Sequence, residues 1–352
     1  MPLPPLIGHE RVKTRLAGAH ASTRLPQALL FAGPRGVGKQ RLALWLAQLI
    51  HCEAPASPME PCGKCRSCRL VLSLQHPDVH WFVPLELSKR GIGSGSGADA
   101  DKQIDLVADA LAEEMSARRE QPIYPPVAGL AMHSVAAVRL LARRLALTPA
   151  IGKKKVFIVG DAERLIPQLG TEVAANALLK ALEEPPADSV IILTAADPNA
   201  LLATILSRVV LVRVARIADS DVTAFAQQTL GLANEDELSQ RVTASAGCIG
   251  KLFATTALHS GQPGGDQAGR FLEAPWLFAL GQVPFQARGG FTDMLDSLAA
   301  KLRSEVRRGG DTEKLVEAIA RVLDARDLAQ GNVNPQLLAA VLAEDFQVMR
   351  RS

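Results

Sequence analysis

Residues 33–40 read Gly-Pro-Arg-Gly-Val-Gly-Lys-Gln. The stretch fits the phosphate-cradling pattern G-x-x-x-x-G-K-[ST] everywhere except its last position. Gly33, Gly36 and Gly38 let the backbone curl so that N–H groups face phosphate oxygens, and the following helix points its N-terminus at the same anion. Lys39 is placed to reach the terminal phosphates. Gln40 stands where a Ser or Thr hydroxyl would hold Mg²⁺. Its amide oxygen lies further out along the side chain, and Mg²⁺ demands near-octahedral geometry. A second strand should supply an Asp-Glu pair, the Asp supporting the metal and the Glu activating water. Here that strand ends Val-Gly-Asp-Ala. If Gly160 and Asp161 occupy the pair, the metal-side Asp is missing; if Asp161 and Ala162 do, the base is missing. Either way hydrolysis on this chain is not expected, because phosphoryl transfer depends on positioned metal and water. Thr194, near the end of a third strand, is a polar residue placed to sense a γ-phosphate. Arg208, just before a fourth strand, reads either as a solvated surface residue or as a cation offered to a neighbour's nucleotide.

A second group of residues suggests metal chemistry. Cys52, Cys62, Cys65 and Cys68 follow the spacing C-x9-C-x2-C-x2-C. The two-residue gaps let neighbouring thiolates reach one ion, and the longer loop lets Cys52 complete a tetrahedron. Gly63 permits the tight turn between ligands. Four sulfur ligands leave no open position, so the expected Zn²⁺ is structural rather than catalytic. His51 is the rival ligand. Cys248 stands apart and is expected to pack as a small apolar residue.

These residues need elements to position them. Residues 10–22 pattern as an amphipathic helix, residues 27–33 as a strand running into the glycine loop, and residues 39–50 as a helix without a breaker. Further strands are expected at 155–161, 189–195 and 208–214. The helical run 172–184 between the first two stops at Pro185-Pro186. Alternating strands and helices predict an α/β domain with a parallel sheet covered on both faces. Residues 91–101, rich in glycine and serine, read as a loop or lid. Beyond about residue 215 the pattern is helical. Leu315, Ile319 and Val322 share one face, and residues 259–269 have linker composition. The expected division is an α/β domain over 1–215 with a zinc module at 52–68, a helical lid over 216–258, and a helical C-terminal domain over 259–352.

The chain has 352 residues, 48% of them hydrophobic and 21% charged, as in soluble globular proteins. A formal net charge of +3 argues against a chain that grips nucleic acid through a broad basic face by itself. No apolar run has the length of a membrane span, and the first residues lack a signal-peptide pattern, so a cytoplasmic location is expected. Cysteines there are not expected to pair as disulfides.

The motifs combine into one resemblance. Arg24–Lys39, the four cysteines, His76-Pro77-Asp78, Ala175–Pro186 (ANALLKALEEPP), Ile205–Val209 and Asn332–Leu338 together span most of the chain. In these segments it resembles the delta-prime family of bacterial DNA polymerase III clamp-loader subunits, within the AAA+ superfamily. That resemblance implies an AAA+ domain, a small helical lid and a helical collar that mediates oligomerisation. It implies a stator that does not hydrolyse ATP itself and sits in a five-membered ring with the motor (gamma/tau) and delta subunits. The ring loads the sliding clamp onto primed DNA. Arg208 would then act in trans as an arginine finger on the adjacent motor subunit, although Val209 stands where the family carries Cys. ATP and Mg²⁺ binding would be weak or absent. Lys251 falls near the lid residue that contacts nucleotide in active members. Residues 91–130 and the turn at 166–172 are longer than the family pattern needs. Two other readings are an active ATPase motor subunit of the same loader and a zinc-stabilised AAA+ adaptor outside replication.

Overall fold

The structure is a computed structural model. It describes residues 3, 6–55, 57, 60–86, 100–121, 131–165, 172–232, 234–252, 267–281, 290–307, 309, 311–329 and 334–351. The glycine-serine run at 91–99, most of the 166–172 turn and residues 259–266 lie outside the described residues, as do 122–130 and 330–333. The chain divides into two compact units, one formed by the described residues up to 252 and the other by those from 267 onward.

The first unit begins with α1 (Glu10–Ala21), β1 (Ala28–Ala32), α2 (Lys39–His51), α3 (Arg66–Leu72) and β2 (Val79–Phe82). It continues with α4 (Ala100–Glu120), α5 (Val135–Leu145), β3 (Lys155–Val159), α6 (Val173–Glu183) and β4 (Ser189–Ala195). The short α7 (Ala203–Leu206), β5 (Val210–Arg213), α8 (Asp219–Leu230) and α9 (Glu235–Ser245) complete its named elements. The strands form one parallel sheet in the order β2-β3-β4-β1-β5. Strands β1, β3 and β4 are buried along their whole length. That is why they read as continuous apolar runs rather than alternating ones. The sequence pattern marked four strands; the fifth, β2, escaped it. β2 has four residues, and only its last two, Trp81 and Phe82, are buried, so it carries too little apolar signal to stand out.

The helices cover strands β1, β3 and β4, while the edge strand β5 stays largely exposed. In α4, Ile104, Val107, Ala110 and Leu111 are buried, so a good part of the long 91–130 stretch is packed helix rather than loop. Ser134 caps α5 by accepting from the N–H of Ala137 at 3.1 Å. At the other end of α5, the buried Lys155 ammonium donates to the carbonyls of Leu145 (2.7 Å) and Leu147. It thereby satisfies C-terminal acceptors that the helix leaves open. A separate apolar cluster in the first unit gathers Ile217, Val222, Phe225, Leu238, Val242 and Leu252 from the helical segment after β5.

The second unit contains α10 (Gln267–Glu273), α11 (Pro275–Ala279), α12 (Gly290–Arg307), α13 (Thr312–Ala329) and α14 (Pro335–Arg351). Its core includes Phe271, Phe278, Leu298, Val322 and Leu342, with Leu315 and Ile319 packed at its margin, as the helical spacing predicts. No described helix is long and apolar enough to cross a membrane.

Asp78, in the segment leading into β2, is buried and carries a cluster of backbone bonds. Its carboxylate accepts from the N–H groups of Ala150 (2.5 Å), Ile151 (2.9 Å) and Gly152 (2.7 Å) in the turn before β3. Burial disfavours its charge, but these amides outweigh burial and hold the carboxyl below its ordinary value of 3.8. Asp78→Asn should therefore cost about 2 kcal/mol in urea unfolding at neutral pH. A depressed folded pKa stabilises above the unfolded value and loses that stability as pH falls through the folded one. The gap between wild type and variant should thus be full at neutral pH and close as pH falls through the folded-state pKa, which lies below the ordinary 3.8. An unchanged gap at low pH would show that the carboxylate charge does not matter.

Candidate nucleotide site and cysteine cluster

The glycine loop is hemmed in by other backbone. Gly33 donates its N–H to the carbonyl of Ala195 at 3.2 Å, and Val214 donates to Ala32 at 2.7 Å. A Cβ at Gly33 would come within 2.1 Å of the Val214 carbonyl oxygen, so only glycine fits. Gly36 and Gly38 have φ of 78° and 104°, in the left-handed region that glycine enters without strain. Residues 249–252 are helical and sit directly on the loop. Gly250 donates to the Gly36 carbonyl at 2.8 Å, and a Cβ at Gly250 would meet the Gly36 Cα at 2.7 Å. Lys251 brings its backbone to the loop while its side chain stays exposed. From the other side, the His9 ring Nε2 lies 2.9 Å from the Val37 carbonyl oxygen.

Lys39 begins α2 but turns back into its own loop, donating to the carbonyls of Gly33 (2.7 Å) and Pro34 (3.0 Å). Burial pulls its pKa down, against the opposing pull of Asp161 and Glu163.

The two departures from the motor pattern touch each other. A Cβ on Gly160 would lie 2.7 Å from the Gln40 Nε2. That amide nitrogen donates to the Asp161 carboxylate at 3.3 Å. Gly160 thus faces the Gln40 side chain, with Asp161 beside it. Asp161, at φ 50°, donates its N–H to the Thr194 hydroxyl at 3.0 Å. Thr194 is fully buried in β4, one residue before the strand ends. Its hydroxyl thus joins the ends of β3 and β4.

Two further residues at this site were not marked by the sequence. The His133 ring Nε2 lies 2.7 Å from the Gly160 carbonyl oxygen, and burial lowers its pKa to about 4, so it is neutral at physiological pH. Glu163 accepts from the Ala196 N–H at 3.2 Å. Burial and then the neighbouring Asp161 raise its pKa. Neither residue belongs to a short motif that would have revealed it.

The four cysteine sulfurs, from Cys52, Cys62, Cys65 and Cys68, all lie within 4.8 Å of one another. Tetrahedral ligation with bonds of about 2.3 Å requires sulfurs closely grouped in this way. Backbone N–H groups already point at them: Cys62 N–H at Cys52 Sγ (3.3 Å), Cys65 N–H at Cys62 Sγ (3.3 Å) and Cys68 N–H at Cys65 Sγ (3.4 Å). The amides of Cys65 and Lys64 lower the Cys62 thiol to about 6, while burial pushes Cys68 up. His51 is not part of the cluster. Its ring packs on His76 at a centroid distance of 4.1 Å. Cys248 is fully buried in the main core. The cysteine segment is tied to the rest by Glu60, which pairs with Lys13 of α1 at 2.7 Å and accepts from the Trp45 indole of α2 at 3.1 Å.

Arg208 lies apart from the loop, between α7 and β5. Its Nε donates to Glu183 Oε1 at 2.9 Å, and its Nη2 lies 2.6 Å from the same oxygen. Its Nη1 donates to the Thr204 carbonyl (2.8 Å) and the Ser207 hydroxyl (3.1 Å). The side chain is 32% exposed.

Against known families, residues 8–218 match the model described as "DNA polymerase III, delta subunit". The chain is 33% identical over 198 residues to DNA polymerase III subunit delta' of Bacillus subtilis, covering 56% of this chain and 45% of that protein. It is 33% identical over 184 residues to DNA polymerase III subunit delta' of Pseudomonas aeruginosa, covering 52% of this chain and 41% of the relative. It is 30% identical over 203 residues to DNA polymerase III subunit tau of Salmonella typhimurium, covering 58% of this chain and 24% of the relative. The match thus spans less than half the length of each of these relatives.

The contact between Gln40 and Gly160 can be tested by rebuilding the metal position. Gln40→Thr alone and Gly160→Asp alone should leave nucleotide affinity indifferent to Mg²⁺. The double variant should gain Mg²⁺-dependent affinity of about tenfold or more by calorimetry. A full gain from either single change would mean that the two positions do not block the metal jointly.

Proposed function

This chain belongs to the DNA polymerase III delta-subunit family, and we propose that it is a delta-prime-type stator of the clamp loader, which does not itself hydrolyse ATP. The observation that carries this reading is the Gln40 amide lying over Gly160 and bonded to Asp161. The space where a motor subunit supports Mg²⁺ is taken up by a neutral side chain. With Lys39 held by its own loop carbonyls and Gly250 bonded to Gly36, the site reads as a rigid joint. Nucleotide binding is weak or absent, and the isolated chain is neither a polymerase nor an ATPase.

On this reading the chain's chemical contribution goes to a neighbour. Arg208 offers a guanidinium to the nucleotide of the adjacent gamma/tau-type subunit, where a planar cation offsets charge developing on the transferred phosphoryl group. The three-part division is an AAA+ domain to about residue 215, a helical lid to about 258 and a collar beyond. The collar holds the chain in a ring with the motor and delta subunits. Leu337, Val341 and Val348 of α14 are exposed and share one helical face suited to a neighbouring helix. The assembled ring acts on the sliding clamp and primed DNA in the cytoplasm.

Cys52, Cys62, Cys65 and Cys68 hold a structural zinc ion, which supplies cross-linking of the 52–68 segment and no reaction chemistry. Metal analysis of gently purified chain should find one zinc per chain. Cys65→Ser should expose the 52–68 segment to protease while leaving the far-ultraviolet dichroism of the sheet domain intact. Metal content well below one equivalent would remove zinc from this account.

Arg208→Ala should leave this chain folded and able to assemble, because its hydrogen bonds go to α6 and α7 and not to the loop. The assembled loader should lose part of its clamp- and DNA-stimulated ATPase. A finger of this type is worth roughly 10³–10⁵ at the site it serves, and Arg208→Lys should rescue poorly because an ammonium lacks the planar fork. Clamp loading at the wild-type rate by the Ala complex would leave the chain a purely architectural role.

A further inference from the structure

Arg208 is already occupied within its own chain. Three of its N–H bonds go to Glu183, the Thr204 carbonyl and the Ser207 hydroxyl, and its Nη2 edge rests 2.6 Å from the Glu183 carboxylate. A guanidinium has five N–H donors, so little of the fork is left for an incoming phosphate. Glu183 is the last residue of α6. A carboxylate there faces the negative end of the helix dipole, which makes a cation beside it welcome. Both side chains are partly exposed, at 32% for Arg208 and 46% for Glu183. Exposed pairs of this kind are weak and exchange readily.

We infer that Glu183 is the resting acceptor for Arg208, competing for its guanidinium with the phosphate of the neighbouring subunit's nucleotide. While the pair is closed, the carboxylate offsets the cation's charge and occupies the edge of its fork. When the neighbour's nucleotide approaches, its more highly charged phosphate displaces the carboxylate. The guanidinium changes partner without any bond being made or broken in Glu183. Glu183 touches neither nucleotide nor reacting atoms, so its role is to position Arg208. The inference rests on Arg208 acting in trans, as proposed above, and adds a threshold to it: the finger is released only when a neighbour is docked closely enough to compete.

The alternative is a purely structural tie between α6 and α7, and function separates the two. The loader should be reconstituted with its ATP-hydrolysing subunits and assayed with and without clamp and primed DNA. Glu183→Gln keeps the shape and removes the charge. It should raise ATPase in the absence of clamp and DNA by roughly two- to fivefold, the scale of an exposed ion pair, and narrow the ratio of stimulated to basal rate. Glu183→Ala should do the same, and neither change should shift the melting temperature of the isolated chain by more than a degree or two, the size expected of a weak surface pair. Arg208→Ala should lower the stimulated rate, and Arg208→Ala with Glu183→Gln should behave as Arg208→Ala alone. If Arg208→Ala lowers the rate but both Glu183 variants match wild type, the resting-acceptor role is wrong and the trans role stands. If Glu183→Gln raises the rate even without Arg208, Glu183 acts on something else. If Arg208→Ala changes nothing, the trans role falls and this inference falls with it.

Discussion

The close backbone approach at the glycine loop governs the architecture around it. The Val214 carbonyl sits where any side chain on Gly33 would have to be, and Gly250 lies against Gly36 with no room for a Cβ between them. The chain leaving β5 and the first turn after Cys248 are thereby fixed against the loop that β1 delivers. Strand β1, the exit from the neighbouring edge strand β5 and the helical segment beyond it share one small contact zone. Close packing in such a zone transmits displacement instead of absorbing it. A loop shaped by glycines for a phosphate serves equally well to let two backbones touch.

This explains how the nucleotide site can depart from the motor pattern and stay well ordered. Gln40 would be an awkward buried amide if Gly160 carried a side chain. Gly160 in turn leaves a space that Gln40 fills, and Asp161 receives a hydrogen bond from its amide. Polar groups at the strand ends are paired through Thr194 to Asp161, Glu163 to Ala196 and His133 to Gly160, while Gln40 Oε1 and Glu163 Oε2 are buried without a hydrogen-bond partner, a cost the network carries. The cysteine segment is integrated in a comparable way, since Glu60 joins it to both α1 and α2 through Lys13 and Trp45.

Much of this was legible in the sequence, for physical reasons. Strands buried on both faces leave unbroken apolar runs, so β1, β3 and β4 were visible. The cysteine spacing and the glycine loop are local patterns whose geometry follows from their intervals, and the sulfurs are indeed grouped. What escaped depends on contacts between distant residues. The short edge strand β2 buries only Trp81 and Phe82, too few to be seen without knowing that β3 lies beside it. The contact of Gly160 with Gln40, 120 positions earlier in the numbering, could not be read from either motif alone. Glu183 belongs to a motif noticed for other reasons, and nothing in its neighbours indicates that it reaches Arg208. His133 and Glu163 carry no local signature.

The carboxylate of Asp78 bears on how this fold tolerates variation in chain length. A four-residue edge strand is poorly protected against slippage, and a one-residue slip would exchange the faces on which Trp81 and Phe82 are buried. Asp78 fixes the strand from outside the ladder, because its three amide partners lie in the turn that immediately precedes β3. The pairing of β2 with β3 is therefore set at the point where both strands begin. The described helices between them in sequence, α4 and α5, are inserted between the two points that this clamp ties together. The cost of closing such an excursion grows only with the logarithm of its length. Lineages could lengthen or shorten this segment without disturbing the register of the sheet, which makes it a natural place for new surface to be added to an otherwise tightly constrained domain.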